Sequence, residues 1–374
     1  MTATSDPSAA SGPPPAAGSP SPATTAPRRR ERVADVPLLE VQDLTVRFGT
    51  EDGVVNAVRG VSYQLAEREV LGIVGESGSG KSVSSLAVMG LLPRTARITG
   101  RILLEGENIL EMGVKEQRSL RGRRIAMIFQ DPMTALNPVY TVGDQLAEAV
   151  RSHEQISKKM ALGRAAEMLD LVGIPRPKDR LGSYPHEFSG GMRQRVMIAM
   201  AVINNPDVII ADEPTTALDV TVQAQILEKL IEVKDAVNAA IVLITHDLGV
   251  VAGMANRVLV MYAGKAVELG RTDQVFTSPR MPYAAGLLGS MPSLASAGGR
   301  LRPIPGAPPS LINLPPGCPF SPRCPLVQDR CNSEEPALYA TDQHDHTAAC
   351  HYWADLADRE DPTSIFRPTA VVAE

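Results

Sequence analysis

From about Leu38 onward the chain alternates short apolar runs with longer amphipathic stretches. Residues 39–48, from Leu39 through Glu40, Val41 and Gln42 to Phe48, contain the period-two alternation of a half-buried strand. Asp52-Gly53 is a turn signal, and residues 54–65 resume strand character. Residues 70–74, 125–129, 207–211, 240–245 and 258–261 are short apolar runs, the pattern of strands buried on both faces. Residues 102–104, followed by Glu105-Gly106, predict one more strand and turn. Between these runs, residues 83–89, 142–153, 157–171, 192–203 and 220–237 read as helices, and segment 131–184 is helical in character. Strands alternating with helices predict an α/β domain with a parallel-type sheet covered by helices. No internal repeat is present.

Both ends differ from this middle. Residues 1–36 are rich in Pro, Ala, Ser and Thr and poor in large apolar side chains, which predicts a disordered tail. Its basic cluster Arg28-Arg29-Arg30-Glu31-Arg32 can touch anionic lipid; a solvated linker is the plainer reading. Prolines crowd between Pro279 and Pro336, and all four cysteines lie beyond residue 276. The expected organisation is a tail (1–36), one α/β domain (37–275, helical part about 131–200) and a separate C-terminal extension (276–374) with little regular structure.

Charge and composition narrow the function. Lys plus Arg number 37 against 42 Asp plus Glu, a net charge of −5, and aromatics are only 4%. Neither favours a nucleic-acid partner. No apolar run is long enough to span a bilayer, and no apolar leader opens the chain, so a cytoplasmic location is expected. Any membrane-spanning work then falls to other subunits.

The chemistry centres on Gly75-Glu76-Ser77-Gly78-Ser79-Gly80-Lys81-Ser82, a match to G-x-x-x-x-G-K-[ST] between an apolar strand and the helix opened by Val83. A triphosphate needs many close donors, and glycines let successive backbone N–H groups point inward. Lys81 reaches the β- and γ-phosphates, and the Ser82 hydroxyl suits Mg²⁺. The strand before Asp212-Glu213 delivers both acids where α/β sheets bind ligands. Asp212 fits a Mg²⁺-holding role and Glu213 the orientation or deprotonation of water. Gln130 and His246 also end strands. A side-chain amide can ligate Mg²⁺ and sense a γ-phosphate; a lone His in such a place is more often structural. Ser189-Gly190-Gly191 opens a helix and is a second anion-binding candidate, with an ordinary capped helix as the alternative.

Together, in this order, these segments resemble the ATP-binding subunits of ABC transporters over about residues 38–271. Gly75 to Ser82 corresponds to Walker A, Gln130 to the Q-loop, and Ser189-Gly190-Gly191-Met192 to the signature. Val208 to Glu213 corresponds to Walker B, Ala217-Leu218-Asp219 to the D-loop, and His246 to the switch histidine. The resemblance implies a P-loop fold of ABC type: a RecA-like core, an antiparallel β subdomain and a helical signature subdomain. It also implies ATP and Mg²⁺ as cofactors and head-to-tail pairing, with the signature of one subunit capping ATP on the other. Phe48 lies where the family places a ring against adenine, although a small insertion alters the spacing.

Met192, where most of the family has Gln, together with Tyr184-Pro185-His186-Glu187, is similar to the dipeptide, oligopeptide and nickel importer branch. Met281-Pro282-Tyr283 is similar to that branch's His-Pro-Tyr motif, with Met for His, and Gly317 to Cys324 matches its cysteine segment. The branch implies two polytopic permease subunits, a second ATPase (identical or related), an extracellular peptide-binding protein acting indirectly, and a peripheral position on the cytoplasmic membrane face. Soluble ABC ATPases of DNA repair or translation are the alternative class. They carry coiled-coil or zinc insertions or two ATPase domains, which this sequence lacks.

Cys318, Cys324, Cys331 and Cys350 are spaced C-x5-C-x6-C-x18-C. A cytoplasmic chain argues against disulfides and toward metal. The close C-x2-4-C pairs usual for zinc are absent, whereas an iron–sulfur centre accepts wider spacing. Zinc and free thiols remain open, as do His344, His346 and His351 as ligands. The resemblance implies a [4Fe–4S] cluster, and a redox or iron sensor acting on the ATPase is a further reading.

Overall fold

The computed structural model describes residues 36–216, 218–291 and 303–366. The N-terminal tail with its basic cluster, Ala217 of the D-loop, and residues 292–302 and 367–374 lie outside the described residues.

Two sheets organise the described chain. The first is antiparallel, in the order β2-β1-β4-β5, built from β1 (Leu39–Thr50), β2 (Gly53–Leu65), β4 (Ala96–Leu104) and β5 (Glu107–Asn108). The second has the order β11-β12-β10-β9-β3-β8-β7-β6. Its parallel part comprises β3 (Val70–Val74), β6 (Ile125–Ile128), β7 (Val208–Asp212), β8 (Ala240–Ile244) and β9 (Arg257–Tyr262). Then β10 (Lys265–Arg271), β12 (Thr347–Ala348) and β11 (Tyr339–Ala340) follow in antiparallel register. The predicted parallel-type sheet is therefore mixed.

Every residue of β3, β7 and β8 is buried, which explains their unbroken apolar sequence. Successive side chains still point to opposite faces. Ile209, Ile241 and Leu243 enter a core shared with the helices Val142–Arg151, Lys158–Leu171 and Gly190–Val202. Val208, Ile210, Val242 and Ile244 enter the core beneath the antiparallel sheet. The register aligns Ile73 with Ile244, and Ile244 with Asp212, so β3, β8 and β7 end at one level. Whatever follows those strands in sequence meets at one edge of the sheet.

The extension is not the separate, largely irregular segment its prolines suggest. Residues 303–320 do lack regular structure, but β11 and β12 lengthen the main sheet, and the helices Pro282–Gly289 and Asp329–Ser333 form. Tyr283 and Phe320 pack on Tyr262 of β9, with ring centroids 4.5 and 5.4 Å away. Glu268 of β10 is fully buried and accepts the Arg280 N–H on Oε1 at 2.7 Å and the Met281 N–H on Oε2 at 3.0 Å, while His346 Nε2 lies 2.8 Å from Oε1. Local composition shows where regular structure breaks; it carries no information about such distant pairings. No helix among the described residues is long and apolar enough to cross a membrane.

Candidate functional site

The loop after β3 curls because its glycines adopt conformations other residues avoid. Gly75, Gly78 and Gly80 have φ of +152°, +78° and +100°. A Cβ on Gly75 would meet the Met261 carbonyl oxygen at 2.2 Å, and one on Gly80 the Ala57 carbonyl oxygen at 2.4 Å. Gly80 then caps the helix Lys81–Val88. Ser77 and Gly78 are exposed at the loop tip, Ser79 is buried, and Val83 packs on the core below. The Lys81 ammonium sits inside the curl, donating to the carbonyls of Gly75 at 2.7 Å and Glu76 at 3.0 Å. Burial pulls the Lys81 pKa down, against the opposing pull of Glu213, Asp212 and Glu76.

The ends of β7 and β8 supply the rest. The Ser82 hydroxyl donates to Asp212 Oδ1 at 3.0 Å. Burial raises the Asp212 pKa, opposed by the Ser82 hydrogen bond. Glu213, with a left-handed φ of +46°, is a strained non-glycine residue. Its N–H donates to Ile244 O at 2.8 Å, which turns the side chain out of the sheet edge. Gln130 Nε2 and Thr216 Oγ1 donate to Glu213 Oε2 at 3.0 and 2.8 Å, and His246 Nδ1 lies 3.3 Å from Oε1. The structure thus brings Lys81, Ser82, Gln130, Asp212, Glu213 and His246 together. Thr216 was not foreseen, since an exposed Thr in a turn carries no pattern of its own.

Ser189 caps the helix Gly190–Val202, accepting from Met192 N–H at 3.4 Å. Asp219 caps the helix Val220–Val237, accepting from Val222 N–H at 3.0 Å. The two caps are neighbours: a Cβ on Gly191 would lie 2.7 Å from Val222 Cγ1, and one on Gly190 3.6 Å from Leu218. Among the described residues, no hydrogen bond from Ser189, Gly190, Gly191 or Met192 reaches the phosphate loop. Phe48 is half-buried on the antiparallel sheet, opposite Val55 and Ala96.

The extension also reaches the site. Arg323, buried at 7% exposure, donates to both carboxylate oxygens of Glu76 at 2.6 and 2.9 Å. Tyr283 Oη accepts the Glu76 N–H at 2.8 Å. Sequence reasoning missed both contacts. The available signal was an arginine in an apolar, proline-rich segment, which once buried requires an acidic partner.

Cys318, Cys324, Cys331 and Cys350 line one cavity of about 20 Å³ together with Phe320, Leu326 and Tyr352. None forms a disulfide. Burial raises the Cys318 thiol pKa and pushes Cys324 and Cys350 up to about 12. Among the described residues, no three His, Cys, Asp or Glu side chains are arranged to hold a metal ion. His346 is taken by Glu268, His351 Nε2 lies 3.0 Å from Glu334 O, and His344 pairs with Asp345.

A glycine-curled phosphate loop, an Asp–Glu strand end and a serine-capped second helix on this sheet define an ABC-type ATP-binding cassette. The family model for the ABC transporter matches residues 58–216, and that for the oligopeptide/dipeptide transporter C-terminal region matches residues 267–331. The dipeptide transport ATP-binding protein DppD of Bacillus subtilis is 54% identical over 84% of this chain and 94% of its own length. The oligopeptide transport ATP-binding protein OppD of Mycobacterium tuberculosis is 56% identical over 84% of this chain, which spans only 52% of that relative. Two solved structures share the fold. A bacterial ABC transporter cassette seen as a dimer has a TM-score of 0.56 at 25% identity, over 63% of this chain and 98% of its own. The cbiO1 protein of Clostridium perfringens, part of an ABC transporter complex, has 0.55 at 27% identity, over 65% of this chain and 91% of its own. The chain belongs to the family of oligopeptide and dipeptide transport ATP-binding proteins.

Proposed function

We propose that the chain hydrolyses ATP to power peptide import through a membrane ABC transporter. The observation that carries this is the cluster around Glu213. Its carboxylate is held by Gln130, Thr216 and His246 beside the Ser82–Asp212 pair, at the end of β7, with β8 between it and the strand that leads into the phosphate loop. In this reading Lys81 and the N–H groups of residues 75–82 bind the triphosphate, with the ring of Phe48 toward adenine. Ser82, Asp212 and Gln130 hold Mg²⁺, which supplies charge neutralisation on the phosphates. Glu213 takes the proton of the attacking water, oriented by Gln130 and His246. Ser189 to Met192 and Asp219 act on the nucleotide of a second ATPase subunit. Their placement as two adjacent helix caps, outside the hydrogen bonds of their own phosphate loop, supports that division.

The assembly is peripheral on the cytoplasmic membrane face. It pairs two ATPase subunits with two polytopic permeases, and an extracellular binding protein delivers peptide. The domain limits are a tail to residue 36, the ATPase to 275 with its helical part near 131–200, and the extension beyond. Mass spectrometry of the intact membrane complex tests this: polytopic subunits and a second ATPase are expected, and tight ribosome or DNA association in their place refutes it.

The four cysteines hold a [4Fe–4S] cluster in the same proposal. Support comes from four cysteines, none in a disulfide, that line one small cavity. Protein purified without oxygen should contain iron and acid-labile sulfide; their absence refutes the cluster.

A further inference from the structure

We infer that Arg323 and Tyr283, both in the C-terminal extension, are positioning residues of the phosphate loop and set its affinity for ATP by holding Glu76. The inference rests on the nucleotide-site reading above. Glu76 is the first residue after the loop's leading glycine and is gripped at three groups. Its carboxylate receives a two-pronged pair of hydrogen bonds from Arg323, its N–H donates to Tyr283 Oη, and its carbonyl accepts from Lys81 Nζ. Arg323 is itself fixed. Its Nε donates to Pro305 O at 2.9 Å, Nη1 donates to Tyr262 Oη at 3.3 Å, and the guanidinium lies 5.9 Å from the rings of both Tyr262 and Phe320. Tyr283 is fully buried against the same two rings. The anchor is therefore rigid, and the loop is the part being held.

The physical need is electrostatic. A carboxylate in the wall of a triphosphate site repels its ligand, and the site's low dielectric strengthens that repulsion. Arg323 cancels the Glu76 charge and, through planar two-pronged geometry, fixes where the carboxylate points. Tyr283 fixes the Glu76 peptide plane, and with it the carbonyl that accepts from Lys81. Among the described residues, Arg323, Tyr283 and Glu76 make no hydrogen bond to Glu213, Gln130 or His246, so the effect falls on nucleotide affinity more than on the hydrolytic step.

The test measures KM and kcat for ATP, and Kd for a fluorescent ATP analogue, on the full chain in its membrane complex. Arg323→Met should raise KM and Kd on the order of tenfold while kcat changes less than about threefold. Glu76→Gln on that background should return KM to within about threefold of wild type, because it removes the stranded charge. A merely structural role for Arg323 would not be rescued this way. Should Arg323→Met fail to fold, Tyr283→Phe keeps the ring packing and loses only the hydroxyl, and should still raise KM several-fold. Unchanged KM in a folded Arg323→Met or in Tyr283→Phe, or a raised KM that Glu76→Gln does not lower, overturns the inference. Wild-type protein that binds no ATP would overturn the nucleotide-site reading instead, and the inference with it.

Discussion

Replacing Glu213 with Gln separates the chemistry of the site from its architecture. The substitution keeps side-chain length, and the left-handed backbone at φ +46° carries the same strain of about 1–2 kcal/mol in both proteins. The amide oxygen can still accept from Gln130 Nε2 and Thr216 Oγ1, now 3.0 and 2.8 Å from Oε2. The new amide N–H₂ can face His246 Nδ1, now 3.3 Å from Oε1. The hydrogen bonds therefore survive in number, and the stability change should stay below about 1 kcal/mol. What disappears is the basic lone pair. A positioned general base contributes roughly 10²–10⁴-fold, equivalent to about 3–5 kcal/mol of barrier. Phosphate release should fall by that factor while nucleotide Kd and melting temperature hold, and ATP should trap a closed pair of subunits on size exclusion. Hydrolysis within about threefold of wild type, measured against an inactive partner, would refute the assignment of Glu213 as base.

Four further outcomes follow from the structure. Gly80→Ala should destabilise the protein and abolish nucleotide binding, because its Cβ would lie 2.4 Å from the Ala57 carbonyl oxygen. Gly78→Ala, with nothing within 4 Å, should cost only the left-handed strain of about 1 kcal/mol, so thermal melts that reverse this order refute the account. Ser189→Ala should lose about 1 kcal/mol of helix capping, yet hydrolysis should fall much further than stability if Ser189 serves a partner's ATP; parallel losses would reduce it to a cap. Metal-free Cys324 and Cys350, pushed up to about 12 from an ordinary 9.0, should alkylate with iodoacetamide at pH 8 about a thousandfold more slowly than in the denatured chain. Because their folded pKa values are raised, the stability they contribute is full below pH 9 and is lost as pH rises toward 12. Denaturant midpoints that rise over that window would contradict the burial argument.

Much of the site was legible because its chemistry is local. The phosphate loop needs glycines at fixed offsets, since only they reach the φ values found at Gly75, Gly78 and Gly80. The strand ending in Asp212-Glu213 and the helix 220–237 were legible because burial imposes unbroken apolar runs on one and helical spacing on the other. Thr216 was invisible: a hydroxyl in a turn gains meaning only when the chain folds a carboxylate onto it.

By itself, the sequence determined the strand and helix alternation, the glycine-rich loop that matches a phosphate-binding motif, and four cysteines clustered near the end. Each is written in residues close together along the chain. Only the tertiary structure decided that the extension is joined to the main sheet through β12, that the four thiols face one cavity, and that Arg323 holds Glu76 across 247 positions of sequence. The physical reason is that a buried charge selects its partner by distance in space. No periodicity or composition records a pairing between segments that meet only after the sheet between them has formed.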